Sequence, residues 1–535
     1  MSVRSGRYVF PKTFKFNRRT PEETGRKRKE QIERETGYMN IEYIIIQAGG
    51  KGSRLDYLTK NKPKALVPVE NLPLMFHLFR KFPNKKFIII GDYKKEVLKE
   101  YLECFAEVKY QIVDAKGTGT CAGISKALAK LNENEPFALI WSDLILPEGF
   151  QLPETDGDYI GISETFPCRW SYKDGQFLEE RSEEYGVAGF FVFKDKQKLA
   201  QAPDSGELVR WMQEKHMTLQ TIGLAGTKEF GILEEYNKLT VEKCRPFNRI
   251  TVQDDLVIKE GIDEQGRRLA VDENAWYEAA GKKGISILPK IYGTNPLKME
   301  RIQGKNIYEY HALSYEEKRH ILETLVSALH KLHETERIRP DTFSIREAYY
   351  TKTIKRLNEV RSLIPFADRE TIIINKKPCR NVFYHKRELE EAIDRLPCEA
   401  FGMIHGDCTF SNMMLRKDGT PVLIDPRGYF GFTKIYGDPL YDWAKLYYSI
   451  VGNYDRFNLK DFRLEIGEEE ANLSIASNHW EDMEEDFYRL TKTSAHDIKL
   501  IHAVIWLSLT TYAWQDYDSV CGAFYNGLLY LEDVI

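Results

Sequence analysis

The stretch Ile44-Ile45-Ile46-Gln47-Ala48-Gly49-Gly50-Lys51-Gly52-Ser53-Arg54-Leu55 decides how the N-terminal part of this chain folds. Its first residues are β-branched and apolar, which is typical of a strand that is buried on both faces of a sheet. The glycines that follow allow a tight turn and a close approach of the backbone to phosphate oxygens. The sequence therefore predicts a buried strand that leads directly into a phosphate-binding loop.

Short β-rich runs of the same kind recur downstream and alternate with amphipathic segments. The predicted strands are Tyr43–Gln47, Phe87–Gly91, Val108–Val113 and Phe137–Trp141, and the predicted helices are Lys95–Phe105 and Cys121–Leu131. This alternation indicates a mostly parallel sheet with helices on both faces, in which ligands bind beyond the carboxyl ends of the strands. We expect this α/β domain to span residues 41–243.

Length, charge and cysteine content limit the remaining possibilities. A chain of 535 residues is too long for one hydrophobic core, so two or three domains are expected. A net charge of −4 gives no reason to expect nucleic acid as a partner. Eight cysteines without a CxxC pair predict neither a zinc site nor a disulfide framework.

The apolar runs and the N-terminus bear on localisation. The longest apolar runs have the length of strands, and no signal-peptide pattern follows Met1, so we expect a cytoplasmic protein without membrane insertion. Homo-oligomers are compatible with this reading. Residues 1–40 are interpreted as a basic extension, either a solvated tail or, alternatively, a docking segment.

Several further segments complete the N-terminal pattern. They are Lys62-Pro63-Lys64 with Pro68-Val69, Gly117–Gly123, Trp141-Ser142-Asp143, Tyr185–Phe190 and Glu229–Tyr236. With the glycine loop they resemble the nucleotidyltransferase (pyrophosphorylase) family in its order GGxGxRL, then PK, then PV. The resemblance implies a Rossmann-like mixed sheet of the GT-A-like type.

That resemblance also implies a role for individual residues. Arg54 and Lys64 would be catalytic, since their positive charge offsets the negative charge that builds up as pyrophosphate leaves. Asp143 and Glu229 would bind Mg²⁺, with Glu229 standing where the family has a second aspartate. The nucleotide would be bound by the following residues: Ala48, Gly49, Gly50, Gly52, Arg54, Lys64 and Gly119.

A different pattern begins near Cys244-Arg245-Pro246-Phe247. It predicts a β-rich lobe over residues 244–312, followed by a helical lobe over residues 313–535. The small lobe would contain the strands Arg249–Val252 and Leu256–Lys259, a turn at Gln253-Asp254-Asp255, and a helix over Asp272–Ala280. The helical lobe would begin with the helix Tyr315–His333. This bilobal α+β arrangement is typical of protein-kinase-like folds.

The second set of chemical motifs lies in this region. It consists of His405-Gly406-Asp407-Cys408-Thr409-Phe410-Ser411-Asn412 and Ile424-Asp425-Pro426-Arg427-Gly428, which follows a predicted short strand over Pro421–Ile424. These motifs resemble the aminoglycoside-phosphotransferase and choline-kinase family. By that resemblance Asp407 orients and deprotonates the acceptor hydroxyl, while Asn412 and Asp425 bind Mg²⁺.

The small lobe would bind ATP. By the same resemblance Lys259 holds the phosphates, with Glu273 as its partner on the helix and Glu278 as the alternative. The segment Met299-Glu300-Arg301-Ile302 would be the adenine hinge, which adds Glu300 and Ile302 to the nucleotide-binding residues. The sequence has no GxGxxG loop and no APE-like segment, so a small-molecule kinase is favoured over a protein kinase.

The remaining residues of interest have structural interpretations. The histidines of Leu329-His330-Lys331-Leu332-His333 are expected to pack and to form hydrogen bonds, and Asp438 and Asp442 to brace the catalytic loop. The C-terminal aromatic residues would form either a helical core, which is favoured, or a cage for a quaternary ammonium group. They are Trp480, Trp506, Tyr512, Trp514, Tyr517 and Tyr525.

Together the motifs predict a bifunctional enzyme. ATP would phosphorylate a small hydroxyl compound (a sugar, polyol or amino-alcohol), and an NTP, with CTP favoured, would then convert the phosphate ester to an NDP derivative and pyrophosphate. The product would be an activated precursor for surface polysaccharide or lipid decoration. Three alternatives stay open. They are a choline kinase fused to a phosphocholine cytidylyltransferase, a kinase with a non-catalytic regulatory N-terminal domain, and an antibiotic-modifying phosphotransferase.

Overall fold

The computed structural model describes residues 40–154, 157–231, 233–237, 248–310 and 312–535. The chain divides into two compact units, Met1–Lys238 and Leu239–Ile535. The expected basic extension, apart from residue 40, and the segment Cys244–Phe247, near which the second pattern begins, lie outside the described residues. Within the described ranges no helix is both long enough and apolar enough to cross a membrane.

A mixed sheet forms the core of the first unit. The strand Tyr43–Gln47 lies between Lys86–Gly91 and Phe137–Trp141 and is parallel to both. Because it is central, its residues 44–46 are almost completely buried, as their apolar β-branched character predicts. Lys109–Asp114 extends the parallel part, and Gly186–Phe193 adds antiparallel to Phe137–Trp141. The remaining strands of this sheet are Tyr159–Ser163, Ser171–Lys173, Gln176–Leu178 and Gln220–Gly223.

Helices and short elements complete this unit. The α-helices are Leu74–Lys81, Lys95–Phe105, Ile124–Leu128, Leu208–Glu214 and Leu233–Asn237. The 3₁₀ helices are Ser53–Thr59, Lys64–Leu66 and Gln197–Leu199, and the short strand pairs are Pro68–Val69 with Leu72–Pro73 and Leu144–Ile145 with Lys228–Glu229.

The prediction of a helix over Cys121–Leu131 is wrong at both ends. The helix begins only at Ile124, because Gly123 adopts a left-handed conformation with φ of 81°. The preceding turn is held instead by Cys121, whose backbone N–H donates to the Gly206 carbonyl at 2.9 Å. The glycines of this segment therefore form a loop where its apolar spacing indicates a longer helix.

An antiparallel sheet begins the second unit. Its strands run in the order Asn248–Val252, Leu256–Gly261, Leu297–Glu300 and Ile291–Thr294, and the predicted hairpin is confirmed. The helix that follows, Glu264–Lys282, starts well before the predicted Asp272. Asp263 caps it by accepting a hydrogen bond from the Gly266 backbone N–H at 2.7 Å. This N-cap outweighs the weak helix propensity of Gly266.

Helices dominate the rest of the second unit. They are Tyr315–Glu334, Thr342–Arg346, Lys352–Val360, Lys386–Asp394, Pro439–Ile450, Tyr454–Asn458, Glu484–Thr491, Ala495–Leu509 and Tyr517–Leu531, with a π-helical turn at Glu347–Thr351. Short 3₁₀ helices lie at Ile307–Glu309, Arg361–Leu363, Phe410–Asn412 and Glu481–Met483. The predicted order of a small sheet followed by a helical lobe is confirmed.

Three small sheets are inserted among these helices. The first contains Thr371–Ile374, Lys377–Arg380, Phe462–Ile466 and Glu470–Ile475. The second contains Gly304–Asn306, Met413–Arg416 and Pro421–Leu423, and the third pairs Gly402–Met403 with Tyr436–Gly437. In the second sheet, the predicted magnesium ligand Asn412 directly precedes the strand Met413–Arg416, and the predicted magnesium ligand Asp425 lies two residues after the strand Pro421–Leu423.

Candidate active sites

The glycine loop of the first unit leaves the sheet at the same edge as Asp143. Gln47 lies opposite Trp141 in the parallel register, so the residues after both strands emerge side by side. The loop is anchored to the next strand, since the backbone N–H of Ala48 donates to the Ile90 carbonyl at 2.9 Å. Parallel strands thus bring two distant sequence motifs to one site.

Lys64 lies against this loop because Gly52 has no side chain. Gly52 is left-handed, with φ of 65°, and a Cβ atom added there would lie 3.0 Å from the Lys64 Cβ. A larger residue at position 52 would therefore be strained and would also crowd the base of Lys64. The glycine motif positions a lysine as well as shaping a loop.

The Lys64 ammonium group lies between two carboxylates that are far apart in sequence. It donates a hydrogen bond to Asp143, and it lies 3.9 Å from the Glu229 Oε1 atom. Glu229 reaches this position because it pairs with Leu144, the residue after Asp143, in a short antiparallel ladder. We refer to these three residues as the Lys64 cluster.

The two carboxylates of the Lys64 cluster have opposite electrostatic environments. Burial alone would raise the pKa of Asp143, but the charge and hydrogen bond of Lys64 lower it below its usual value. Burial, and then repulsion from Asp143, raises the pKa of Glu229 to about 7. The pair therefore holds a second negative charge only at a cost in free energy.

The Lys64 cluster suits a magnesium ion. Mg²⁺ prefers oxygen ligands, and a divalent cation would relieve the repulsion between Asp143 and Glu229. Within the described ranges no group of three or more His, Cys, Asp or Glu side chains is arranged to hold a metal. Two carboxylates would therefore supply only part of the coordination, and substrate phosphates and water would have to supply the rest.

The structure places the other predicted nucleotide-binding residues around this edge. Arg54 is exposed on the helix Ser53–Thr59, and its charge acts on Glu229. Gly50 faces open space, whereas Gly49 lies close to Asp92. The loop that contains Gly119 is tied to the same strand end, because the Gln47 side-chain amide donates to the Thr120 carbonyl.

In the second unit, Lys259 lies at the centre of an equivalent arrangement. Its ammonium group is 2.9 and 3.1 Å from the two carboxylate oxygens of Glu273 and 2.7 Å from the Asp425 Oδ1 atom. We refer to Lys259, Glu273 and Asp425 as the Lys259 cluster. Burial opposes the charge on Lys259, but Asp425 and Glu273 raise its pKa; burial raises the pKa of Glu273 to about 7. Glu278, the alternative partner, is exposed.

The helix Glu264–Lys282 contacts both segments that are predicted to be catalytic in this unit. The Tyr277 hydroxyl accepts a hydrogen bond from the Asp425 backbone N–H at 3.2 Å, and the Trp276 indole donates to the Ile404 carbonyl at 2.7 Å. Gly428 is left-handed, and a Cβ atom there would lie 2.4 Å from the Asp272 carbonyl oxygen. The glycine after the Asp425 motif is thus needed for contact with this helix.

Asp407 lies in a strongly positive environment. Its Oδ1 atom is 2.9 Å from the Lys445 ammonium nitrogen, and 31% of its side chain is exposed. Burial alone would raise the pKa of Asp407, but Lys445 and Arg427 hold it well below its usual range. Asp407 is therefore an ionised carboxylate at neutral pH that a substrate hydroxyl could approach.

Asn412 is oriented for a role beside Asp407. Its Nδ2 atom donates to the Asp407 carbonyl at 3.0 Å and to the Asp407 carboxylate at 3.2 Å. In this orientation the amide nitrogen is used in hydrogen bonds to Asp407, and the amide oxygen is the atom that could bind a cation. The Asn412 amide oxygen and the Asp425 carboxylate are both of the oxygen-ligand type that Mg²⁺ prefers.

Sequence reasoning missed Lys445. It lies on the buried helix Pro439–Ile450, where it is 7% exposed, and no motif marks it. The available signal was a single lysine within the apolar run Trp443-Ala444-Lys445-Leu446-Tyr447-Tyr448. A lysine in such a position is rarely buried without a charged partner.

The expected bracing of the catalytic loop is confirmed for Asp442 and wrong for Asp438. Asp442 accepts hydrogen bonds from the backbone N–H groups of His405 and Gly406, at 2.8 and 2.7 Å, and from His333 at 3.0 Å. Asp438 instead caps the helix Pro439–Ile450 and accepts from the Tyr349 hydroxyl at 2.9 Å. Asp438 is the N-cap because Pro439 begins the helix.

The histidine and hinge residues occupy ordinary structural positions. His333 bonds to Asp442 and His330 packs on Trp443, so the expectation of packing and hydrogen-bonding roles is confirmed. Glu300 ends the strand Leu297–Glu300 and forms an ion pair with Arg416, while Ile302 is buried just beyond it.

The C-terminal aromatic residues mostly form a core. Four of the six are almost completely buried: Trp480, Trp506, Tyr517 and Tyr525. Tyr512 is half-buried, and the Arg356 guanidinium group covers its ring at 4.4 Å from the centroid. These residues therefore do not line a common cage, and the favoured helical-core interpretation is confirmed for the four buried ones.

Comparisons with known proteins support two transferase domains. Residues 44–150 match the MobA-like NTP transferase domain, and residues 268–472 match the phosphotransferase enzyme family. Bifunctional protein GlmU of Methanocaldococcus jannaschii is 29% identical over 110 residues, covering 20% of this chain and 26% of that protein. D-glycero-alpha-D-manno-heptose 1-phosphate guanylyltransferase of Campylobacter jejuni is 34% identical over 102 residues, covering 18% and 45%.

One solved structure aligns with a large part of the chain. The choline kinase LicA from Streptococcus pneumoniae aligns with a TM-score of 0.36 and 13% identity, covering 55% of this chain and 92% of that chain. The chain spans about a quarter of the length of the first curated relative and under half of the second. The family matches nevertheless fall on different units, so the chain joins a nucleotidyltransferase domain to a phosphotransferase domain. The predicted fusion is confirmed.

Proposed function

We propose that the chain catalyses two consecutive reactions: ATP-dependent phosphorylation of a small hydroxyl compound, and transfer of a nucleotidyl group to the resulting phosphate ester. The observation that carries the proposal is that each domain contains a lysine between two carboxylates from distant parts of the sequence. The Lys64 cluster lies in the nucleotidyltransferase domain. The Lys259 cluster and Asp407 lie in the phosphotransferase domain.

In the phosphotransferase domain, the acceptor hydroxyl oxygen would attack the γ-phosphorus of ATP. The bond between that phosphorus and the β–γ bridging oxygen breaks, ADP leaves, and the hydroxyl proton passes to Asp407. Because the pKa of Asp407 is held low, its main contribution is to orient the hydroxyl, with proton transfer late in the reaction. Lys259 would bind the ATP phosphates, and Asn412 and Asp425 would hold Mg²⁺, which neutralises phosphate charge when bound.

In the nucleotidyltransferase domain, a phosphate oxygen of the ester would attack the α-phosphorus of an NTP. The bond to the α–β bridging oxygen breaks and pyrophosphate leaves. Lys64 and Arg54 would stabilise the developing negative charge, and Asp143 and Glu229 would hold Mg²⁺. The kinase reaction must come first, because a free alcohol lacks the phosphate nucleophile of the second reaction.

The substrate classes follow from the family resemblance and from the relatives. A sugar or polyol is the first acceptor class to consider, since one matched relative is named for a sugar 1-phosphate. CTP is the favoured NTP by family resemblance. The product would be an activated precursor for surface polysaccharide or lipid decoration.

The test is a reconstitution with the full-length protein. ATP, Mg²⁺, each NTP in turn and a panel of sugars, polyols and amino-alcohols are supplied, and ADP and pyrophosphate are measured separately. We expect pyrophosphate release from the free acceptor only when ATP is present, and from the pre-phosphorylated acceptor without ATP. ADP formation without pyrophosphate release from any phosphorylated acceptor would instead support a regulatory N-terminal domain.

A further inference from the structure

A group of cationic side chains extends from Asp407 into the helical lobe. Lys445 contacts Asp407 directly at 2.9 Å. Arg427 belongs to the motif Ile424–Gly428, and its guanidinium group donates to the Tyr441 hydroxyl at 3.1 Å. The Lys352 ammonium group lies 5.9 Å from the centroid of the same tyrosine ring.

Arg356 continues the group on the same helix as Lys352. It lies one turn further along Lys352–Val360, and it donates to the Ser508 carbonyl at 2.8 Å. Its guanidinium group stacks on Tyr512. We refer to Lys352, Arg356, Arg427 and Lys445 as the cationic group.

In the described part of the chain, the four positive charges of this group lie near two carboxylates, Asp407 and Glu347. Asp407 pairs with Lys445, and Glu347 is the carboxylate that acts on Lys352. Within the described parts of the chain, the Lys352 ammonium group makes no hydrogen bond or ion pair, and it lies over the Tyr441 ring. Burial, and then the charges of Arg356, Arg427 and Lys445, lower the pKa of Lys352 well below its usual value, so an anion bound beside it would stabilise its ammonium form.

Such a group would repel a cationic acceptor. A quaternary ammonium ligand requires an electron-rich, uncovered aromatic face. Here the faces of Tyr429, Tyr441 and Tyr512 already lie against Arg427, Lys352 and Arg356 respectively. An anionic group of the acceptor, placed beside Tyr441, would instead supply the partner that Lys352 lacks. The hydroxyl group of the same acceptor could then extend toward Asp407.

We propose that the kinase acceptor is an anionic hydroxyl compound, one that carries a carboxylate or phosphate group which Lys352 and Arg427 bind while its hydroxyl faces Asp407. This inference rests on the proposed kinase function and specifies its substrate class. The hydroxyl oxygen, and not the anionic group, forms the new bond to the γ-phosphorus, and ADP leaves as described above. Carboxylate and phosphate are both suited to arginine and lysine, so the experiment must distinguish them.

The experiment uses acceptor pairs that differ in charge. D-gluconate is compared with D-glucitol, and glycerate and glycerol 1-phosphate are compared with glycerol; choline is the cationic member. Binding to the full-length protein with a non-hydrolysable ATP analogue is measured by calorimetry, and phosphorylation is measured by ADP release. We expect an anionic compound to exceed its neutral counterpart roughly 100-fold in kcat/KM, as loss of a charge-assisted contact implies.

Variants at position 352 show whether this residue is responsible. Lys352→Met should weaken binding of the preferred anion roughly 10–100-fold. The affinity for the neutral compound and the KM for ATP should not change. Lys352→Arg should retain the preference for anions, because it keeps the charge. The control is Lys355→Met, at an exposed position on the same helix.

The outcomes separate this inference from the proposed function. Preference for choline or for a neutral polyol, or failure of every anionic compound to bind, would overturn the inference and leave the kinase proposal standing where ADP is formed. An increase in the KM for ATP alone in Lys352→Met would also overturn it, since the cationic group would then serve ATP. Lys352-dependent binding of an anion without phosphorylation of any acceptor would support the anionic site and contradict the proposed kinase reaction.

Discussion

The Lys64 and Lys259 clusters both place a lysine between two carboxylates, but they differ in how closely the lysine contacts the glutamate. In each, one lysine lies between two carboxylates from distant parts of the sequence, and burial raises the pKa of the glutamate to about 7. Lys259 contacts both carboxylates at 2.7–3.1 Å, whereas Lys64 is 3.9 Å from Glu229. Lys259 lies on a strand and forms hydrogen bonds with both of its carboxylates. Glu229 is repelled by Asp143 and is not within hydrogen-bond distance of Lys64.

The difference indicates where each site is organised before substrate arrives. The Lys259 cluster joins the small sheet, its helix and the Asp425 segment, so its geometry is set by the fold. In both clusters the second carboxylate raises the pKa of the glutamate, but Lys64 does not reach Glu229 within hydrogen-bond distance, so the repulsion in the Lys64 cluster is less offset and favours arrival of a cation. The following predictions test this comparison.

The largest effect is expected for Asp407→Asn. This change keeps the shape of the side chain but removes the charge that orients the acceptor hydroxyl, so phosphorylation should fall roughly 10²–10⁴-fold. With the pre-phosphorylated acceptor, the variant should release pyrophosphate at close to the wild-type rate. Loss of both reactions in a folded variant would show that the two sites are coupled and do not act independently.

Lys64→Ala should give the next largest effect, on the other reaction. Removal of one contact to the developing charge typically lowers the rate about 10²–10³-fold. ADP formation from the free acceptor should stay near normal, since the Lys259 cluster is unchanged. The matched control is Lys60→Ala, at an exposed position. Normal pyrophosphate release by Lys64→Ala would show that Lys64 does not take part in nucleotidyl transfer.

The pH dependence of the Mg²⁺ requirement should distinguish the two centres. Because the pKa of Glu229 is about 7, a proton competes with the cation below that pH. The Mg²⁺ concentration needed for half-maximal pyrophosphate release should therefore rise about tenfold per pH unit as the pH falls below 7, and level off above it. Glu229→Gln should abolish this slope and Glu234→Gln, on the adjoining helix, should not. An unchanged slope in Glu229→Gln would exclude Glu229 as the titrating ligand.

Glu273→Gln should have the smallest effect. Its side-chain oxygen can still accept a hydrogen bond from Lys259, and Asp425 remains, so the KM for ATP should rise only about tenfold or less. The measurement is initial-rate kinetics of ADP formation at saturating acceptor. A much larger loss would mean that the charge of Glu273, and not only its position, organises the kinase site.

The sequence predicted the elements whose pattern is local. The strand Tyr43–Gln47 is evident from its apolar run, and the hairpin at Gln253–Asp255 from its turn residues. The helix Glu264–Lys282 was predicted too short, because an N-cap at Asp263 determines its start and Gly266 obscures its periodicity. Asp is a common N-cap residue, but its presence at position 263 does not by itself show that its side chain forms the cap.

The candidate site residues likewise fall into those that a local sequence motif marks and those that it does not. Asp143, Asp407 and Asp425 are visible in the sequence because short motifs surround them. The cationic group is not visible, since Lys352 and Lys445 lie on separate helices with no motif, and only tertiary packing brings them toward Asp407. The proposed acceptor specificity rests on contacts between distant residues, and a single sequence does not display them.

The three hydrogen bonds accepted by Asp442 have a consequence for how the second unit opens. They join the helix Tyr315–Glu334, the catalytic loop and the helix Pro439–Ile450 at one buried carboxylate. Amide protons exchange with solvent only when their hydrogen bonds open. The amides of His405 and Gly406 should therefore exchange as slowly as those of the surrounding helices, which makes the catalytic loop part of the last region of this unit to unfold.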